Sequence, residues 1–221
     1  MQTAQISPRK GRSATPRAKR VLNAGSGAVS SRRLHQTFLQ SGWREVRLDI
    51  DPAVEPDLIG SVTDMSALVP SRTFDAAWAS HSLEHLHAHE VLEALLEFRR
   101  ILKPDGFALV TSPDLETVAS LLLQHGPDHV VYTSPMGPIT PHDMMFGHAD
   151  SIRRGMSFMA HNCGFTCESL GALLLQAGFP MVLAKRDGYD LWALALMEAA
   201  DKGAILSDLN AAGLDMFDQG E

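Results

Sequence analysis

Short apolar runs alternate along the chain with longer segments in which apolar residues recur at helical spacing. The short runs predict seven strands, at residues 20–24, 45–52, 58–62, 74–80, 107–112, 179–186 and 191–197. The longer segments predict helices at residues 29–40, 83–102, 114–124 and 167–177, with a further short helix near 204–209. Strands that alternate with helices in this way indicate an α/β fold whose parallel sheet is covered on both faces. An Asp187-Gly188 turn makes the last two strands an antiparallel pair.

The first strand breaks into the turn Gly25-Ser26-Gly27. Gly25 can adopt backbone angles that other residues avoid, and Gly27 allows a ligand to approach the main chain without meeting a Cβ atom. The predicted helix at 29–40 would direct its unpaired N–H groups at this turn, which suits a polar or anionic ligand. The alternative is that the glycines only close a connection between a strand and a helix.

The second strand ends in acidic residues. Asp49 lies 24 positions after Gly25, close to where a nucleoside-binding βαβ unit places the carboxylate that binds ribose hydroxyls. A carboxylate suits a ribose because it accepts two hydrogen bonds at once. The alternative is that Asp49 and Asp51 are ordinary polar loop residues before Pro52.

Residues 126–165 interrupt the alternation of strands and helices. They are rich in proline, glycine, histidine and methionine. A loop of this length inside a compact domain is usually functional or disordered. Its apolar residues argue against disorder, so we predict a lid over a pocket. They are Met136, Ile139, Met144, Met145, Phe146, Met156, Phe158 and Met159.

Composition and charge restrict the class of protein. The chain has 221 residues, 45% of them apolar, which is enough for one domain with a sizeable core. No apolar run approaches the roughly 20 residues that cross a bilayer, and residues 1–20 lack the apolar segment of a secretory signal. The two cysteines, Cys163 and Cys167, agree with a reducing compartment. We therefore expect a soluble cytoplasmic protein with no membrane partner.

The charges are unevenly distributed. The first 20 residues hold six of the 19 basic residues and none of the 26 acidic ones. An acidic body argues against an enzyme that tracks a nucleic-acid backbone, because such proteins neutralise phosphates with clustered Lys and Arg. The prolines of the basic segment favour a disordered tail, with an organelle transit segment or a contact to an anionic partner as alternatives.

Four separated blocks carry a resemblance to a known family. They are residues 21–27, 47–50, 74–86 and 99–107, the last containing Lys103-Pro104-Asp105-Gly106. In this order they resemble the class I S-adenosylmethionine-dependent methyltransferases, in particular the type 11-like group that acts on small molecules. The resemblance implies a three-layer, Rossmann-like fold with a seven-stranded, mostly parallel sheet of order 3-2-1-4-5-7-6, in which strand 7 is antiparallel. A nicotinamide dehydrogenase is the rival, but its third glycine would fall at Ser30.

The resemblance also implies a cofactor, S-adenosyl-L-methionine, and the residues that bind it. The turn Gly25–Gly27 would lie against the methionine part, Asp49 would hold the ribose, and Ser61 and Val62 would contact the adenine. The full set of predicted cofactor-binding residues is Asn23, Ala24, Gly25, Gly27, Asp49, Ile50, Ser61, Val62, Ser80 and His81. Three positions depart from the family pattern: Asn23 and Ser61 replace acidic residues, and Val29 replaces a third glycine.

Methyl transfer from a sulfonium needs chiefly an aligned, water-poor pocket, and a general base helps only when the acceptor must lose a proton. The predicted bases are His81, His142 and His161. The alternatives are a hydrogen-bonded loop residue for each lid histidine and a backbone-facing role beside the cofactor for His81. Two sets have partial metal-ligand spacing, His81/His85/His89 and His161/Cys163/Cys167. We predict no metal, because the resemblance gives residues 83–86 a packing role and the second set lacks a fourth ligand.

The predicted organisation is a disordered basic tail at 1–19, a methyltransferase domain at 20–200 with its substrate lid at 126–165, and an acidic tail at 201–221. The predicted function is methyl transfer to an O, N or C atom of a small-molecule acceptor. One alternative is a protein- or RNA-directed methyltransferase recruited by the basic tail. The other is a non-catalytic methyltransferase-like module that binds a cofactor or a partner protein.

Overall fold

A computed structural model describes residues 18–29, 34–215 and 217. Its main sheet has seven strands in the order β3-β2-β1-β4-β5-β9-β8. The strands are β1 Lys19–Ala24, β2 Trp43–Asp49, β3 Leu58–Ile59, β4 Phe74–Ser80, β5 Leu102–Pro113, β8 Met181–Asp187 and β9 Asp190–Leu196. β9 runs antiparallel to both of its neighbours, β5 and β8, and the other strand pairs described in this sheet are parallel. Since β8 and β9 are the sixth and seventh strands of this sheet, the predicted order and the antiparallel seventh strand are confirmed.

Seven α-helices connect and cover the strands in the described residues. They are α1 Gln36–Leu39, α2 Ala88–Ile101, α3 Leu115–His125, α4 Pro141–Phe146, α5 Ala149–Arg153, α6 Cys167–Gln176 and α7 Lys202–Ala211. The helices predicted at 114–124 and 167–177 are confirmed, and both begin at a capping residue, Asp114 and Thr166 respectively. None of the helices in these ranges is long and apolar enough to span a membrane.

Alternate residues of the strands point to opposite faces and build two apolar layers. Leu22 packs in one layer with Phe98 of α2 and Leu174 of α6. Its neighbour Val21 packs in the other layer with Leu209 of α7. The sheet is therefore buried on both sides, which explains why its central strands read as nearly continuous apolar runs.

Two predicted helices were wrong in their extent. Only Gln36–Leu39 of the segment 34–40 is helical, because the backbone of His35 is extended and its side chain accepts a hydrogen bond from the Thr37 N–H. Residues 30–33 lie outside the described residues. The helix predicted at 83–102 is broken, because Leu86 and His87 are extended between a 3₁₀ turn and α2.

The predicted lid segment, residues 126–165, has secondary structure of its own. It contains a hairpin of β6 Tyr132–Ser134 and β7 Gly137–Ile139, the helices α4 and α5, and a 3₁₀ turn at Ser157–Met159. A small apolar cluster joins Ile139 and Met144 of this segment to Val118 of α3. The boundary of the lid and the two tails stay predictions. Most of the predicted basic tail lies outside the described residues. In the predicted acidic tail, residues 202–211 form α7.

Candidate active site

The glycine turn lies at the carboxyl end of β1, where it folds over the end of β2. The N–H of Gly25 donates to the carbonyl of Leu48 at 2.9 Å. Gly25 has a φ of +69°, and a Cβ on it would lie 2.7 Å from the Cβ of Ser82, which follows β4. The turn therefore requires glycine both for its left-handed backbone and for its close approach to Ser82.

Asp49 holds the same turn from the end of β2. Its Oδ2 accepts a hydrogen bond from the Gly27 N–H at 2.8 Å, and its Oδ1 accepts one from the Asp51 N–H at 3.0 Å. A carboxylate offers about four lone-pair positions, so two remain for further donors. Because Asp49 also lines a cavity, those positions suit the two hydroxyls of a ribose.

Arg47 is a structural residue that the sequence interpretation did not single out. Its Nη2 donates to the carbonyls of Gly27 and Val54, the latter at 2.9 Å, and its Nη1 donates to the carbonyl of Glu55 at 2.8 Å. One side chain thus fixes the glycine turn to the connection after β2. Its place in β2 beside Asp49 was the only available sequence signal.

One cavity of about 420 Å³ runs from the glycine turn to the lid segment. This volume lies within the 300–1,000 Å³ typical of small-molecule sites. The sheet side of the wall is formed by the ends of β1 and β2 and by the residues after β3 and β4. The lid segment contributes Met136, Ser151, Met156, Phe158 and Met159. The apolar lid residues that the sequence predicted to cover a pocket therefore include four that line this one.

The structure brings seven of the predicted site residues to this cavity: Gly25, Gly27, Asp49, Ile50, Ser61, Val62 and His81. Of the other predicted cofactor-binding residues, Ala24 and Ser80 are the last residues of β1 and β4 and are not among the residues that line the cavity. Asn23 is buried and donates its Nδ2 to Glu45 Oε1 at 2.7 Å. The predicted bases His142 and His161 are likewise not among the residues that line the cavity.

His81 occupies an unusual position immediately after β4. Its φ is +48°, and its ring lies between two carboxylates, with Nδ1 3.4 Å from Glu84 Oε1 and Nε2 3.4 Å from Asp190 Oδ2. Burial opposes its protonation, but the interactions with Asp190 and Glu84 outweigh burial and raise the pKa of His81 to about 10. An imidazolium has no lone pair for a proton, so this environment suits His81 to holding the carboxylates rather than to acting as a general base.

Glu84 is the most deeply buried charged residue near the cavity, with 1% of its surface exposed. Burial opposes its ionisation, but the contact with His81 and the nearby His85 and His161 outweigh burial and lower the pKa of Glu84. Burial lowers the pKa of His161. Sequence reasoning missed Glu84 and Asp190, because nothing local in the sequence marks which acidic residues will lie against the ring of His81.

A parallel sheet with a glycine turn after its first strand and an acid at the end of its second defines a Rossmann-like, nucleoside-binding protein. The antiparallel seventh strand places the fold among the class I methyltransferases. The sequence matches the methyltransferase domain family over residues 5–184, and the chain belongs to that family. The predicted class of S-adenosylmethionine-dependent methyltransferase, and S-adenosylmethionine as its cofactor, are therefore confirmed.

Solved structures agree on the fold. The chain is similar to an S-adenosylmethionine-dependent methyltransferase from Archaeoglobus fulgidus (TM-score 0.52, 15% identity, 81% of this chain and 86% of that one). It is also similar to the PH0226 protein from Pyrococcus horikoshii (TM-score 0.53, 17% identity, 81% of this chain and 82% of that one). A third similar structure is a complex from Haloferax volcanii between the Trm112 methyltransferase activator and a methyltransferase (TM-score 0.53, 15% identity, 83% of this chain and 84% of that one). At these identities the likeness shows the fold alone. No curated protein matches the chain in sequence.

Proposed function

We propose that the protein transfers the methyl group of S-adenosylmethionine to an O, N or C atom of a small molecule held under the lid segment. The observation that carries this proposal is that one cavity is lined by both the predicted cofactor edge and the lid. Its lining includes Gly27, Asp49 and Ser61 on the side of the sheet, and Met156 and Phe158 on the side of the lid. A cofactor bound at the edge of the sheet would therefore face the lid across this cavity.

S-adenosylmethionine, when bound, supplies a methyl group on a good leaving group. The protein has to orient the acceptor and exclude water. The Gly27 N–H and the Asp51 N–H fix the Asp49 carboxylate, which keeps two acceptor positions for ribose hydroxyls. Ser61 and Val62, which follow β3, line the cavity where the adenine is predicted to bind.

The acceptor end of the cavity is mostly apolar. The methionines Met136, Met156 and Met159 and the aromatic ring of Phe158 form this end of the wall. Methionine side chains adapt to irregular shapes and contact aromatic rings favourably. We therefore expect a partly hydrophobic acceptor with a ring or chain large enough to contact several of these side chains.

The other candidate functions predict different dependences. A protein- or RNA-directed enzyme would lose turnover when residues 1–20 are removed, and its activity would fall steeply with salt. A non-catalytic module would bind a partner without needing the cofactor edge. Since the cavity contains a glycine turn and a preoriented Asp49, we favour an enzyme that acts on a small molecule.

The proposal is tested by titration calorimetry with S-adenosylhomocysteine. Asp49→Ala removes hydrogen bonds to a charged acceptor, which should cost about 1.5–3 kcal/mol and weaken binding roughly tenfold to a hundredfold. The matched control is Asp64→Ala, which changes the net charge equally at an exposed position away from the cavity wall. Urea denaturation of both variants separates lost binding from lost stability. No binding by the parent chain would overturn the catalytic proposal.

A further inference from the structure

Glu84, His85 and His161 form a compact cluster of metal-ligating side chains, called here the Glu84 cluster. One ligand atom from each residue lies within 4.8 Å of the other two. Glu84 and His85 lie in the 3₁₀ turn after β4, whereas His161 follows the lid segment's own 3₁₀ turn. We propose that this cluster binds a first-row divalent transition-metal cation.

The hydrogen bonds of the two histidines determine which nitrogen of each ring can bind a cation. His85 Nδ1 lies 3.0 Å from the carbonyl oxygen of Ala160, and His161 Nδ1 lies 3.0 Å from that of Met144. A carbonyl oxygen only accepts hydrogen bonds, so each Nδ1 carries the proton. In the neutral imidazole each Nε2 then has the lone pair that a cation needs. Metal-binding histidines usually have this arrangement, in which a second acceptor fixes the ring and its tautomer.

The Glu84 carboxylate also lacks the partners that a buried charge requires. Neither of its oxygens accepts a hydrogen bond within the described residues, although the side chain is 1% exposed. A buried carboxylate is costly unless it is paired and hydrogen-bonded or binds a metal. The titratable groups that face it are His81, His85 and His161, and among the described residues only His81 is close enough for an ion pair. A cation would compete with His81 for Oε1 and would also have Oε2 available.

The ligand set and its spacing restrict the kind of cation. Two ligands that are each about 2.1 Å from a metal lie at most about 4.2 Å apart, so the cluster needs to contract by no more than roughly 0.6 Å to bind one. Two imidazoles and one carboxylate suit zinc and its first-row neighbours, whereas magnesium prefers oxygen ligands. We therefore expect Zn²⁺ to bind more tightly than Mn²⁺, and both to bind far more tightly than Mg²⁺.

The alternative metal sets of the sequence do not assemble in the described structure. His89 is the second residue of α2, beyond the extended Leu86 and His87, so it does not share a helical face with His85. Cys163 directs its Sγ at the carbonyl of Leu83, 3.5 Å away. The Glu84 cluster takes one histidine from each predicted set and adds the glutamate that neither set contained.

The location gives the cation a chemical role. His85 lines the cavity beside His81 and Ser82, so a cation on its Nε2 would stand at the cavity wall. A cation there would bind a hydroxyl oxygen of the methyl acceptor and favour transfer of the hydroxyl proton to solvent water. This role rests on the proposed function, whereas the existence of the site does not.

The test is a titration of the full chain, cleared of metal with a chelator and kept free of S-adenosylmethionine. Calorimetry with ZnSO₄ should show one ion bound per chain, and elemental analysis after dialysis should agree. Glu84→Gln and His161→Ala should each weaken Zn²⁺ binding by at least about tenfold, since even indirect partners of a metal contribute that much. His89→Ala removes an exposed histidine outside the cluster and should leave binding unchanged.

Two outcomes would overturn the proposal. One is that the parent chain binds no Zn²⁺, which would mean that Glu84 serves only to pair with His81. The other is that His89→Ala weakens binding as much as His161→Ala, which would indicate adventitious surface binding. Should Glu84→Gln fail to fold, the visible absorption of Co²⁺ bound to the parent chain, and its loss in His161→Ala, decides the matter. Cofactor binding takes no part in any of these measurements.

Discussion

Replacement of Gly147 by alanine should detach the two halves of the lid segment from each other. Gly147 ends α4 with a φ of +92°, and a Cβ on it would lie 2.1 Å from the carbonyl oxygen of Met159 and 2.9 Å from the Cα of Ala160. These are backbone atoms, which cannot rotate away as a flexible side chain can. Met159 and its neighbours Phe158 and Met156 line the cavity, so the change acts on the proposed acceptor site.

The size of the effect follows from these distances. A positive φ costs an L-residue about 1–2 kcal/mol. The clash requires roughly another ångström of separation, and two hydrogen bonds cross the same contact. They join the His161 N–H to the Phe146 carbonyl at 3.1 Å and His161 Nδ1 to the Met144 carbonyl at 3.0 Å. Losing both adds about 1–3 kcal/mol, so Gly147→Ala should destabilise the segment by about 2–5 kcal/mol in total.

Gly155→Ala is the matched control. Gly155 lies in the same segment with a φ of +95°, but a Cβ on it would meet nothing within 4 Å. Gly155→Ala should therefore destabilise the segment only by the cost of a positive φ, about 1–2 kcal/mol. Hydrogen exchange of amides 141–161 measures the local opening, and urea denaturation measures the whole domain. Equal exchange in the two variants would show that the close approach of Gly147 to Met159 does not hold the segment together.

Two further predictions concern stability. Asp143 is partly buried, which opposes its ionisation, but hydrogen bonds from the Ala149 N–H and from Thr140 outweigh burial and hold the pKa of Asp143 below its usual 3.8. The Asp143 carboxylate therefore contributes its full stabilisation of the fold above about pH 4, and this stabilisation is lost as the pH falls through the lowered pKa. Urea titrations at decreasing pH should show a shrinking difference in unfolding free energy between the parent and Asp143→Asn. In the core, Phe98→Ala should cost about 3–5 kcal/mol because the ring is 0% exposed. Leu123→Ala, at a residue that is 87% exposed, should change the unfolding free energy by less than about 0.5 kcal/mol.

The sheet could be predicted from the sequence because its signals are local. β4 was expected at 74–80 and is Phe74–Ser80. Its apolar run is bounded by a turn and by polar residues, and both are visible in a short window. The same holds for α6, whose capping box joins Thr166 to Ser169. The order of the strands came from the resemblance, since many orders are compatible with one alternating pattern of elements.

The cluster beside the cavity could not be predicted in this way, because distant residues create it. The break between the 3₁₀ turn and α2 is accompanied by hydrogen bonds from Asn162, whose N–H donates to the Glu84 carbonyl and whose Nδ2 donates to the His85 carbonyl. These carbonyls would otherwise accept hydrogen bonds within a helix, as the apolar spacing of 83–102 predicted. A periodic pattern indicates a helix but carries no information about a competing donor many residues away.

The same two hydrogen bonds of Asn162 hold one end of the lid segment beside the cavity. Asn162 donates to the Glu84 carbonyl at 2.8 Å and to the His85 carbonyl at 2.7 Å, so the C-terminal end of the lid segment is fixed to the residues after β4. The β6–β7 hairpin at its other end carries Met136, which lines the cavity yet is 54% exposed. Movement of the C-terminal end would break both bonds to Asn162, whereas movement of the hairpin would separate Ile139 from Val118 and Tyr132 from the stacked ring of Tyr189. The lid segment is therefore held to the rest of the domain by polar contacts at its C-terminal end and by apolar and aromatic contacts at its hairpin.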